Sequence, residues 1–146
     1  MTGPWRVFRR YAAMGMAFLS VLLLVACTAS TDRQRVEVGL STFGIALSSD
    51  VIKPGKVTFV VKNNATDQTH EFLVTQTDHP QDQIPVEAGA AQFSEDSLNV
   101  LGEVEDIDSG AIKRLTLELT PGRYVLVCNL PGHYQGGMHA EFTVTP

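Results

Sequence analysis

The chain is poor in sulfur and in basic residues. Its 146 residues include two cysteines, Cys27 and Cys128, and four methionines, three of which lie in the first 16 positions. The net charge is −5 at pH 7, which argues against nucleic acid as a partner because nucleic-acid binding depends on basic surfaces. Helix-type periodicity is also scarce, whereas short alternating apolar stretches are frequent. A single acidic domain built of strands is therefore expected, preceded by a small N-terminal segment.

That N-terminal segment contains an apolar stretch too short to cross a membrane as a helix. The stretch covers residues 12–26, whereas a spanning helix needs roughly 20 apolar residues. It follows Arg6, Arg9 and Arg10, with no acidic residue before it. A basic segment followed by a short apolar one is typical of an export signal. We therefore predict a signal peptide over residues 1–26.

The predicted signal peptide ends in "LVAC", which resembles the lipobox of bacterial lipoproteins. The resemblance implies cleavage before Cys27 and attachment of lipid to it, so that residues 27–35 form a lipidated cysteine and a short tether. The alternative is an uncleaved anchor in which Cys27 is an ordinary cysteine. Lipidation of Cys27 would leave Cys128 without a disulfide partner. An unpaired thiol in an oxidising compartment is a liability unless something occupies it.

Residues 36–146 are predicted to form one all-β domain. Apolar residues alternate with polar ones in "VEVGL" at 36–40 and "RLTLEL" at 114–119, and the turn signals "KPG" and "TPG" separate such runs. The pattern predicts a Greek-key antiparallel β-sandwich. Residues 78–110 lack clear alternation, so we expect a long crossing segment there, with one short helix near residues 88–94.

The segment "CNLPGHYQGGM" carries a thiol, an imidazole and a thioether at Cys-x4-His-x4-Met spacing. Alternation places Cys128, Met138 and the upstream His70 on inward faces at strand ends, so we expect these residues and His133 to converge. Two imidazoles and a thiolate in one plane, with a weak axial thioether, suit both Cu(I) and Cu(II). Zinc is an alternative, although a structural zinc site usually has a stronger fourth ligand than methionine. Gln135 is an alternative axial ligand.

Two long stretches resemble the cupredoxins, the blue type 1 copper proteins. "GKVTFVVKNNATDQTHEFLV" at 55–74 is similar to their strand, loop and first histidine, and "LTPGRYVLVCNLPGHYQGGMHAEFTV" at 119–144 is similar to their ligand loop with its flanking strands. The ligand spacing is like that of rusticyanin and sulfocyanin and close to that of azurin. The resemblance implies one copper per chain, with His70, Cys128 and His133 in the trigonal plane and Met138 axial. Glu71 stands where several small members have an asparagine that braces the ligand loop, so that contact is in question here.

The resemblance also implies an electron carrier rather than a stand-alone enzyme. Its copper would exchange single electrons with a redox protein such as a c-type cytochrome or an oxidase, and the chain would act as a monomer, exported and lipid-anchored at the outer face of a bacterial membrane. An enzymatic copper protein would need further histidines, and only His79 and His139 remain, with no assigned role. The alternative function is a copper-sequestering lipoprotein with the same ligands. The predicted docking patch around the second histidine ligand consists of Leu130, Pro131, Gly132 and Tyr134.

Overall fold

The computed structural model describes residues 33–87 and 89–146. The predicted signal peptide and Cys27 lie outside these residues, as does most of the predicted tether. The first strand begins at Gln34, so the last two residues of the predicted tether belong to the folded domain. Among the residues described, no helix has the length and apolar character needed to cross a membrane.

The described part of the chain contains nine strands and one turn of 3₁₀ helix, Glu95–Ser97. The strands are β1 (Gln34–Ser41), β2 (Gly44–Leu47), β3 (Val51–Ile52), β4 (Gly55–Asn63), β5 (His70–Gln76), β6 (Asn99–Ile107), β7 (Ile112–Leu119), β8 (Gly122–Val127) and β9 (His139–Val144).

The strands form two sheets, with orders β2-β1-β4-β7 and β3-β9-β8-β5-β6. The predicted all-β sandwich is confirmed. The sheets are mixed rather than wholly antiparallel, because β1 pairs with β4 and β3 pairs with β9 in parallel. After the β1–β2 hairpin the chain passes through β3 in the other sheet and returns as β4 beside β1. A parallel pair needs such a crossover, which alternation within each strand does not reveal.

The main core lies between the sheets and contains their inward-facing residues. Phe59 packs against Phe72 and Phe142, with ring centroids 5.5 and 5.3 Å apart. The same cluster includes Cys128 and Met138. The two sulfur-bearing residues therefore extend the apolar rows of the core toward one end of the sandwich.

A second, smaller core covers the outer face of the five-stranded sheet. Residues 80–94, which we call the strap, cross this face and are irregular. Ile84 and Phe93 of the strap pack against Leu73, Val125 and Val127 of the sheet. The sheet is thus buried on both faces, one covered by strands and the other by irregular chain.

The prediction for residues 78–110 was wrong in two respects. The described residues of the predicted helix, 89–94, form turns and bends, and the only helical turn described nearby is Glu95–Ser97. The segment also contains β6, which pairs with β5. The alternation of β6 is interrupted by Gly102, where a Cβ would lie 2.9 Å from the Leu117 side chain. The close approach of β7 requires glycine at this position and thereby hides the strand pattern.

Candidate metal centre

Three predicted ligands meet at one end of the sandwich. His70 begins β5, Cys128 directly follows β8, and His133 lies in the loop between β8 and β9. The Cys128 Sγ atom is 3.3 Å from His133 Nδ1 and 3.9 Å from His70 Nδ1, and the two Nδ1 atoms are 3.3 Å apart. The sequence-based prediction that these residues converge is confirmed for the three side chains.

The spacing of these three atoms suits a single ion at their centre. Imidazole nitrogen and thiolate sulfur bind zinc at about 2.0 to 2.3 Å, and donors at that distance in a trigonal plane lie about 3.5 to 4.0 Å apart. The observed separations of 3.3 to 3.9 Å are close to this range.

The ligand loop, residues 128–138, is closed by its own backbone. The Cys128 amide donates to the Met138 carbonyl at 3.1 Å, and the Met138 amide donates to the His133 carbonyl at 3.0 Å. Gly132 and Gly137 adopt φ values of 78° and 105°, a region that favours glycine. The loop's glycines therefore permit a tight fold that brings the Cys128, His133 and Met138 backbones together.

Burial sets the protonation of the donors. Desolvation lowers the pKa of His70, with a further contribution from the nearby His133, and desolvation also lowers the pKa of His133. Both imidazoles are therefore neutral at pH 7, the form that binds metals. Burial raises the pKa of the Cys128 thiol, against which the backbone amides of Glu71 and Leu130 donate hydrogen bonds to the sulfur. A metal must displace the thiol proton, so metal binding releases a proton.

Solved structures with the same fold carry copper in their names. No sequence-family profile and no curated protein matches the chain by sequence. A dithionite-reduced auracyanin from Roseiflexus castenholzii superposes with a TM-score of 0.59 at 24% identity, covering 77% of this chain and 98% of that one. Auracyanin A from Chloroflexus aurantiacus, described as a "blue" copper protein, gives 0.55 at 21% identity, covering 76% and 98%. Rusticyanin from Thiobacillus ferrooxidans gives 0.54 at 19%, covering 77% and 78%. The chain has the cupredoxin fold.

In this cupredoxin fold the donor set fits a type 1 copper ion. Two neutral imidazoles and a buried sulfur lie at trigonal spacing, and the arrangement is held by strand ends rather than by mobile segments. Met138 is fully buried in the main core beside Cys128, as a weakly held axial thioether requires. Gln135, the alternative axial residue, is exposed.

Glu71 keeps part of the contact that was in question. Its backbone amide donates to the Cys128 sulfur, and its side chain accepts a hydrogen bond from the backbone of Asn129. Desolvation raises the pKa of Glu71 from 4.5 to about 7; the Asn129 bond opposes this rise, and the charges of nearby acidic residues, including Glu95 and Glu103, add to it. The substitution of Glu for Asn therefore preserves a link between β5 and the ligand loop while placing an acid beside it.

The predicted docking patch needs one correction. Tyr134 is only 5% exposed and packs into the second core, because its hydroxyl and ring face the strap rather than solvent. Phe43, which the sequence analysis missed, is 50% exposed and lies edge-on to His133, with ring centroids 5.8 Å apart. A Cβ on Gly136 would lie 2.5 Å from the Phe43 ring. An apolar residue inside the turn "STFG" was the available signal, but a turn residue is visible as a neighbour of the site only once the hairpin is placed.

The remaining histidines lie apart from the centre. His79 is exposed, and His139 points to the outer face of the sheet, where its ring lies 5.3 Å from that of Tyr134. Asn129 was another omission from the sequence analysis. It is 3% exposed and directly follows Cys128, and its hydrogen bonds are described below.

Proposed function

We propose that the protein binds one type 1 copper ion through His70, Cys128, His133 and Met138 and carries single electrons between redox partners. The observation that carries the proposal is the trigonal grouping of two Nδ1 atoms and one Sγ atom at 3.3 to 3.9 Å. When bound, copper would supply the one-electron change between Cu(I) and Cu(II). Copper fits better than zinc because the fourth candidate ligand is a thioether, a soft donor that suits copper.

The chain's own contribution to electron transfer is a site that changes little between the two oxidation states. The ligands start from strand ends and from a loop closed by its backbone hydrogen bonds. The buried imidazoles are neutral without any partner change, and two backbone amides already point at the sulfur. Such a frame limits the movement of the ligands when the charge of the ion changes.

We place the exchange of electrons with a partner at His133, the ligand nearest to the surface. Apolar and glycine residues surround it, and we call this surface the docking face: Phe43, Leu130, Pro131, Gly132 and Gly136. Phe43 and Pro131 are exposed, and the glycines allow close approach of another backbone. A small apolar face suits brief contact with a redox protein, such as a c-type cytochrome or an oxidase. The protein is proposed to act as a monomer.

We further propose that the protein is exported and anchored by lipid on Cys27 at the outer face of a bacterial membrane. The "LVAC" sequence supports the anchor. β1 begins at Gln34 and runs toward the metal end, so the chain enters the domain at the opposite end. The six residues between Cys27 and Gln34 reach at most about 25 Å, which keeps that opposite end near the membrane. Metabolic labelling with a fatty acid tests this, since Cys27→Ala should abolish incorporation; equal labelling of both chains would refute the anchor.

The decisive experiment loads the full chain, solubilised in detergent, with Cu(II). An intense colour from thiolate-to-copper charge transfer and a narrow copper hyperfine splitting in electron paramagnetic resonance are expected, and both should disappear in Cys128→Ser. A colourless Cu(II) protein with wide splitting would overturn the type 1 assignment. Stopped-flow mixing with host cytochromes then separates an electron carrier from a copper-sequestering protein, because only the former exchanges electrons rapidly.

A further inference from the structure

The ligand loop is held from outside the site by the strap. Asn129, directly after Cys128, bonds the strap through both ends of its side-chain amide. Its Oδ1 accepts from the Phe93 amide at 3.0 Å, and its Nδ2 donates to the Phe93 carbonyl at 3.1 Å and to Glu95 Oε1 at 3.2 Å. The Asn129 carbonyl accepts from Gln92 Nε2 at 2.7 Å. Asn129 thus joins the strap as a neighbouring strand would.

A second set of bonds lies beside the other loop ligand. Tyr134 directly follows His133, and its hydroxyl accepts from the Ile84 amide of the strap at 2.8 Å. The Gly132 amide, just before His133, donates to the Ala91 carbonyl at 3.0 Å. Ala91 adopts φ 55°, a conformation that residues other than glycine rarely adopt and that persists where surrounding contacts hold it.

The positions of these residues follow from alternation. Because successive side chains along extended chain point to opposite faces, the inward direction of Cys128 sends Asn129 outward to the strap. His133 and Tyr134 diverge in the same way, with His133 at the metal centre and Tyr134 in the second core. Each loop ligand that meets the trigonal plane therefore has a neighbour anchored on the opposite side of the sheet.

We propose that Asn129 and Tyr134 are positioning residues through which the strap holds the ligand loop in its ligating shape before any metal binds. Neither side chain belongs to the donor set. Both are at least 95% buried and bond backbone groups of the strap, which would otherwise be left without partners when covered. The inference rests on the proposed function only for the identity of the metal; the holding of the loop is a property of the metal-free chain.

The test uses two tyrosines that share chemistry but not place. Tyr134→Phe removes the hydroxyl that accepts from Ile84. Tyr124→Phe is the matched control, because the buried Tyr124 hydroxyl donates to the Thr120 carbonyl at 2.6 Å at the opposite end of the sandwich. Hydrogen exchange is followed at the Cys128 and Met138 amides in the full chain without metal, in detergent.

Tyr134→Phe should speed exchange of the Cys128 and Met138 amides about tenfold, since a buried hydrogen bond next to the loop is lost and the loop opens locally. Tyr124→Phe should leave both rates within about twofold of the unaltered chain, because its lost bond is remote from the loop. Equal acceleration in the two variants would show a general loss of stability and overturn the proposal, as would unchanged rates in Tyr134→Phe.

A second pair of variants tests Asn129. Asn129→Ala is compared with Asn63→Ala, since Asn63 is also buried and makes three side-chain hydrogen bonds, to Ala65, Gln68 and Ile107. Asn129→Ala should accelerate exchange at Met138 more than Asn63→Ala does; the reverse order would count against the proposal. If Asn129→Ala does not fold, the tyrosine pair decides.

Copper loading of the same variants separates this inference from the proposed function. In Tyr134→Phe the Cu(II) spectrum should keep its charge-transfer band but show an altered hyperfine splitting, whereas Tyr124→Phe should match the unaltered protein. A wild-type chain that stays colourless with Cu(II) would refute the copper site, yet the exchange rates of the metal-free chain would still decide whether the strap holds the loop.

Discussion

The two faces of the five-stranded sheet are both buried, but by different kinds of structure. The inner face packs on the other sheet through regular rows, such as Phe72 and Phe142, and these rows lead directly to Cys128. The outer face is covered by the irregular strap, through Ile84 and Phe93. The ligands extend from the inner face and their anchoring neighbours from the outer one. The stability of the sandwich and the shape of the ligand loop should therefore respond to different substitutions.

The largest effect is expected at the inner face. Phe72 is fully buried among aromatic rings, so Phe72→Ala should lower the free energy of unfolding of the metal-free protein by about 3 to 5 kcal/mol, through lost burial and a cavity that strands on both sides cannot close. Urea unfolding followed by circular dichroism measures the change. A loss below about 1 kcal/mol would show that the two-sheet core is not the main source of stability.

A smaller effect is expected at the outer face. Phe93→Ala should cost about 2 to 3 kcal/mol, at or just below the low end of the range for buried phenylalanine, because the strap lacks strand pairing and can collapse into the space. The same unfolding experiment applies, with Phe43→Ala as the exposed control, for which a change within about 0.5 kcal/mol is expected. If Phe93→Ala costs as much as Phe72→Ala, the two faces do not differ in the way described.

Met138→Leu should have little effect on stability and a specific effect on the metal. The two side chains have similar volume, so the cost to the free energy of unfolding should stay below about 1.5 kcal/mol. Copper and colour should be retained, and the reduction potential should rise because Cu(II) loses a donor. Voltammetry of the copper protein measures the shift. Outright release of copper would instead make Met138 a principal ligand.

The smallest effect is a pH dependence at the outer end of β5. The pKa of Glu71 is raised from 4.5 to about 7, chiefly by desolvation. The folded chain therefore holds this proton to higher pH than the unfolded chain, and unfolding releases it between about pH 4.5 and 7. Stability of the metal-free protein should accordingly fall as pH rises through that window, and Glu71→Gln should flatten the fall.

Unfolding curves collected from pH 4 to 8 test this dependence. Glu118→Gln, on the exposed side of β7, serves as the control and should keep the slope of the unaltered protein. A slope in Glu71→Gln equal to that of the control would assign the dependence to other groups.

Much of the inner face was predictable from the sequence. Alternation along β5, β8 and β9 put His70, Cys128 and Met138 inward, and the close spacing of Cys128 and His133 placed them in one loop. The outer face was not predictable in this way. Ile84 and Phe93 stand alone among polar residues and prolines, so no local pattern showed which surface they would cover. For the same reason Tyr134 was expected at the surface, and Phe43 was overlooked.

The sequence by itself determined the strand faces and the donor set, because the period of two in a strand and the chemistry of thiol, imidazole and thioether are local properties. Tertiary structure alone decided the parallel pairings of β1 with β4 and β3 with β9, the path of the strap, and the contact of Phe43 with His133. These depend on which distant segments meet. Such meetings are settled by the burial of both sheet faces and by hydrogen bonds such as those of Asn129, which join residues 36 positions apart.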